Sequence, residues 1–123
     1  MTRVTALLLI SLSLAACATL APAPAKDRDG VLADSAGMTL YTFDKDAAGS
    51  GKSVCNGGCA TNWPPLIAAE GAKSSGDWTL VQRDDGTQQW AHKGKPQYLW
   101  IKDKQPGDRS GDGFNQVWHA ALP

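Results

Sequence analysis

One pattern occurs twice in this chain, and it constrains the fold more than any other feature. Gly37-Met-Thr-Leu-Tyr41-Thr-Phe43-Asp-Lys-Asp46 aligns without a gap on Gly94-Lys-Pro-Gln-Tyr98-Leu-Trp100-Ile-Lys-Asp103. In each copy the tyrosine lies four residues after the glycine, an aromatic follows it by two, and an aspartate follows it by five. Trp63 and Trp118 then come 22 and 20 residues after their tyrosines. A repeat of this length marks one supersecondary unit used twice. Two copies are too few for a solenoid, so the expectation is one domain with pseudo-two-fold symmetry.

The period within the unit says what it is made of. Tyr41 and Phe43, like Tyr98 and Trp100, are two apart and share one face of an extended strand. Aromatic and β-branched residues suit that surface. Val31-Leu32-Ala33 and Gln88–His92 provide the other arm of each hairpin, turning at Gly37 and Gly94. Asp85-Gly86 marks a further two-residue turn between Trp78–Arg83 and Thr87–His92. That register sets Arg83 opposite Gln88, Val81 opposite Trp90 and His92 opposite Thr79. Trp78 to Ile101 thus reads as a three-stranded meander, with Phe114–Trp118 able to add a strand. Helix signals are confined to Cys59–Trp63 and Leu66–Ala69, and Pro64-Pro65 stops the first. The expected class is mainly β: a small single domain of antiparallel hairpins with a pseudo-two-fold internal repeat and little helix.

The N-terminus carries an address. Arg3 precedes the short apolar run Ala6–Leu14, which has the build of a secretory signal and is too short to span a bilayer permanently. Leu14-Ala15-Ala16-Cys17 resembles the bacterial lipobox, in which the cysteine is acylated and becomes the mature N-terminus. Residues 1–16 are therefore expected to be a lipoprotein signal peptide, 17–29 a flexible tether and 30–123 the β repeat domain. Several acyl chains on Cys17 would anchor the protein stably to a membrane. Ala18 after the cysteine, in place of an inner-membrane-retaining Asp, favours the periplasmic face of the outer membrane. Taking Arg3 from the 12 basic residues leaves 11 against 12 acidic ones. Nothing there makes a nucleic-acid footprint.

With Cys17 lipidated, Cys55 and Cys59 remain as an even pair in an oxidising compartment. The intervening Asn56-Gly57-Gly58 can turn tightly, and the spacing is within bridging reach. A structural disulfide is favoured over a redox-active pair, which would want C-x-x-C, and over thiolate metal ligation, which lacks a second pair.

Other candidate chemistry is weaker. Asp46 and Asp103 fit a role in bonding the turn that follows each strand better than one as ligands. The run from Asp103 through Asp108 and Asp112 to Asn115 offers oxygens to a hard cation, but its spacing is not that of an EF-hand and Lys104 and Arg109 sit among the acids. His92 and His119, with Met38, could hold copper, yet nothing along the chain brings them together. No Gly-x-Ser-x-Gly is present, and Gly49-Ser-Gly-Lys52-Ser53 lacks the leading glycine and the strand–helix setting of a phosphate loop. No cofactor is expected.

The two Tyr-x-aromatic-x-x-Asp units, Ser53-Val-Cys55-Asn-Gly-Gly-Cys59-Ala-Thr-Asn-Trp63-Pro-Pro, and Pro106-Gly-Asp-Arg-Ser-Gly-Asp-Gly with Trp118-His119 together resemble the family of bacterial lipoproteins with that motif, also called the secreted repeat of unknown function. The resemblance spans about residues 30–122. It departs at Gln97, where the family usually has Leu before the second Tyr. It implies the fold and an exported location and no agreed activity. The expected function is a non-enzymatic structural or interaction module of the cell envelope, membrane-held by its lipid and open to an envelope protein partner. The alternatives are an extracytoplasmic binder of a metal ion or small aromatic ligand and, after it, a thiol redox or electron-transfer partner.

Overall fold

The computed structural model describes residues 23–123. Its strands are β1 (Ala25–Arg28), β2 (Val31–Asp34), β3 (Tyr41–Phe43), β4 (Trp78–Gln82), β5 (Gln88–His92), β6 (Lys95–Pro96) and β7 (Trp118–Ala120). One short helix, α1 (Gly58–Asn62), and one 3-10 turn (Phe114–Gln116) complete the secondary structure of these residues. All pairing is antiparallel, in three small sheets: β1 with β2, β3 with β7, and β4–β5–β6. The mainly β class, the scarcity of helix and the internal repeat are as the sequence pattern implies.

The two halves meet at their tyrosines. Tyr41 and Tyr98 form an antiparallel bridge, each backbone N–H donating to the other's carbonyl at 2.8 and 2.9 Å. That reciprocal pair marks the pseudo-two-fold centre. Gly37 and Gly94 both sit in left-handed turns, at φ 83° and 80°. A side chain on Gly94 would strike the opposite half, and one on Gly37 would strike the Arg28 guanidinium of its own half and crowd Pro106 of the other. A Cβ on Gly94 would lie 2.7 Å from the Gly49 nitrogen, and one on Gly37 would lie 3.1 Å from Pro106. Glycine here serves both the turn and the close approach.

Around this centre the aromatic residues form a column. Trp63 and Trp118 stack face to face, their centroids 3.9 Å apart and their planes within 3°. Trp100 covers the outer face of Trp63 at 3.9 Å, and Phe43 covers Trp118 at 4.2 Å. Each half's second motif aromatic thus caps the other half's tryptophan. Tyr41 and Tyr98 meet Trp63 and Trp118 edge-on. A second apolar cluster, Ala25, Leu32, Leu40 and Ala121, lies under Leu66, Trp78 and Leu99.

Four details differ from the sequence expectation. Residues 25–28, assigned to the tether, form β1, because Asp29 and Gly30 both adopt positive φ and close a two-residue hairpin of the kind matched to strand twist. The β4–β5 turn is longer by one residue: Arg83 N–H donates to Thr87 O and Gly86 N–H to Arg83 O. Val81 therefore faces Gln89, Leu80 faces Trp90, and His92 faces Trp78 rather than Thr79. Residues 66–69 are extended, bridging Gln89 through Ile67, and the final strand begins at Trp118 because the glycine-rich run before it coils at Phe114–Gln116. The lipidation position, Cys17, and the signal peptide lie outside the described residues.

Candidate functional site

The repeat's polar residues converge on the junction between the halves, and they do so crosswise. Tyr41 Oη donates to Asp103 Oδ2 at 2.5 Å, and Tyr98 Oη donates to Asp46 Oδ2 at 2.5 Å. Each motif tyrosine is thus paired with the other copy's aspartate. The second oxygen of each carboxylate serves its own loop: Asp46 Oδ1 accepts from Val54 N–H, and Asp103 Oδ1 accepts from Ser110 N–H and Oγ. The turn role expected for both aspartates is real but is half of what they do. Burial, reinforced by the adjoining carboxylate, raises both phenols well above the ordinary tyrosine range.

The surroundings of the two pairs differ. At Tyr98, Ser53 Oγ lies 2.6 Å from the phenol oxygen. The phenol proton is committed to Asp46, so Ser53 is the donor. Ser53 in turn accepts from Arg83 Nη1, which also donates to Gln89 Oε1, while Nη2 donates to Cys55 O and Asn56 Oδ1. A buried guanidinium is thereby linked through Ser53 and Tyr98 to the Asp46 carboxylate, which offsets the cost of an isolated charge. At Tyr41 the neighbour is a backbone amide, Gly111 N–H at 3.3 Å. A Cβ on Gly111 would lie 2.8 Å from the Trp63 ring, so glycine admits both contacts. Arg83 was not singled out by sequence, since Gln82-Arg83-Asp84-Asp85-Gly86 reads as a solvated turn. Ser53 and Ser110 were findable: each lies twelve residues after its tyrosine.

Cys55 and Cys59 are joined by a disulfide with Cα atoms 5.2 Å apart. Cys55 is fully buried within the aromatic cluster, and the bridge fastens α1 and hence the approach to Trp63. The second half has no counterpart. Asp112 occupies the place of Cys55 in the repeat alignment and accepts from Ala120 N–H instead.

The remaining sequence candidates do not form one centre. Asp108 caps the turn at Lys104 and Gln105, whose two N–H groups hold its carboxyl below the usual range. Asn115 lies in a left-handed turn at φ 49°. Among the described residues no three His, Cys, Asp or Glu side chains are placed to hold a metal ion. His92 and His119 do share a cleft of about 500 Å³, which sequence did not foresee. There His119 Nε2 lies 2.8 Å from Asp44 Oδ2, and His92 packs against Trp78, its pKa lowered by burial and by Lys93.

The profile of a secreted repeat of unknown function matches the chain twice, over residues 24–67 and 79–122. Each match contains one crosswise Tyr and Asp and one tryptophan of the stacked pair. No curated protein and no solved structure matches the chain.

Proposed function

Since the chain belongs to the family of secreted repeats of unknown function, we propose that it acts as a non-enzymatic envelope module, lipid-anchored through Cys17 and held at the periplasmic face of the outer membrane. The observation that supports this most is the fate of the repeated residues. Tyr41, Tyr98, Asp46, Asp103 and the three core tryptophans point at each other rather than at an open cleft. Phenol, carboxylate and indole are thereby used to lock two halves together, which suits a rigid presenting body. The turn-shaping disulfide, with Cys55 wholly buried and Cys59 partly so, fits the same reading better than a thiol relay, which needs an accessible sulfur. Strand β1 begins at Ala25, eight residues after Cys17, so a lipid there would keep the domain close to the bilayer.

Metabolic labelling with a fatty-acid analogue tests the anchor. Wild type is expected to label and to sediment with outer-membrane vesicles. Cys17→Ser is expected to lose both. Equal labelling of the two proteins would overturn the anchoring.

A further inference from the structure

The position before each motif tyrosine separates the halves. Leu40 fills it in the first and lies wholly buried in the apolar cluster with Leu32 and Ala121. Gln97 fills it in the second and is 1% exposed. Its Nε2 donates to Lys95 O at 3.0 Å, but its Oε1 is buried and has no donor among the described residues. A buried acceptor left unpaired carries a desolvation penalty that a leucine would not. The fold thus tolerates at Gln97 a polar group that packing alone would reject.

Gln97 lines the same cleft of about 500 Å³ that holds His92 and His119. That volume falls in the ~300–1,000 Å³ range of small-molecule sites. The other lining groups fall into two chemical sets. Lys93 and Lys95 are cationic, Lys93 also donating to Pro123 O at 3.2 Å, while Asp44 and Asp112 are acceptors already engaged by His119 and by Ala120 N–H, and the Gln97 side-chain oxygen is an acceptor without a donor among the described residues. Val31, Ala120 and Leu122 supply apolar wall. A simple anion would satisfy the lysines and leave the Gln97 oxygen unmatched. A simple cation would do the reverse. A ligand with an ammonium at one end, a carboxylate at the other and a small apolar body matches all three sets.

We propose that this cleft binds short peptides with free ends, the amino group donating toward Gln97 and the carboxylate lying at Lys93 and Lys95. The site does not use the Tyr–Asp junction, and it stands or falls independently of the lipid anchor.

The test is titration of the full-length protein, in mild detergent, with unprotected Ala-Ala, Ala-Val and Val-Ala, followed by calorimetry and by the His92 and His119 ring signals in NMR. Binding with perturbation of those rings is expected for at least one peptide. N-acetylation or C-amidation should each weaken it tenfold or more. Gln97→Leu, which installs the residue of the first half, should keep the fold and lose the preference for a free amino end. Lys95→Met, on an exposed strand position, should lose the preference for a free carboxylate. The proposal is overturned if no peptide binds, if binding leaves both histidine rings unmoved, or if glucose or acetate binds as well as the peptides do. Melting curves on both variants guard against misfolding, and capped peptides on the wild type carry the test without any substitution.

Discussion

The two Tyr–Asp pairs have the same geometry and different supports. Tyr98–Asp46 belongs to a chain of side chains running through Ser53 to the buried Arg83, beside a disulfide that pins the adjoining loop. Among the described residues Tyr41–Asp103 has a loop serine, one backbone amide and no cation in contact. Asp103 is also the more buried carboxylate, 8% exposed, whereas Asp46 is only half-buried. The same motif is therefore held by a charge-compensated network in one half and by close backbone packing in the other. A repeat conserves the contact that joins its copies and leaves each copy free to support that contact by other means.

The largest expected effect falls on what the halves share. Trp63 lies between Trp118 and Trp100, so Trp63→Ala removes the middle of the column and should cost about 3–5 kcal/mol. Phe43 caps one end and is only partly buried, so Phe43→Ala should cost less than Trp100→Ala at the equivalent place. Chemical denaturation of the three variants checks the order.

Next in size come the tyrosines, which divide the halves. Tyr41→Phe strips the phenol from the buried Asp103 and should cost about 2–3 kcal/mol, as for a charged group left without a partner. Tyr98→Phe leaves Asp46 within reach of water and of Ser53, so about 1 kcal/mol is expected. Equal losses would mean that the Arg83 network gives its half no advantage. The smallest effect has the opposite sign. Gln97→Leu removes an unpaired buried acceptor and should raise stability by about 1 kcal/mol, read from the same denaturation curves.

How much of this was legible in the sequence follows from what linear spacing can carry. Matched Gly, Tyr, aromatic and Asp positions revealed the repeat, the shared face of each Tyr-x-aromatic pair and the pseudo-symmetry. They could not reveal that each Tyr seeks the other copy's Asp, because two identical units are satisfied equally well on paper by local or by exchanged pairing. The local turn rule for Asp46 and Asp103 was accordingly right for one oxygen and silent on the other. The β4–β5 register missed by one because Asp85-Gly86 suits a two-residue turn, while the Asp85 side chain, accepting from Thr87 N–H and Oγ1, stabilises the longer loop. The cleft was invisible for a related reason. His92 and His119 both belong to the second half but stand on strands of different sheets, β5 and β7, and meet only when those sheets pack together.

The central claim is that both phenols are locked, un-ionised, between the halves. It makes a direct spectroscopic demand, since Tyr41 and Tyr98 are the only tyrosines in the chain. In both, the folded pKa lies above the unfolded value of about 10. The stabilisation this brings is whole below that value and is lost as pH rises toward the folded one. Tyrosinate absorbance at 295 nm, followed with circular dichroism through an alkaline titration, should therefore stay flat past pH 10 and then rise for both tyrosines together as the fold is lost. A tyrosine that ionises near pH 10 while the circular dichroism remains native would contradict the account.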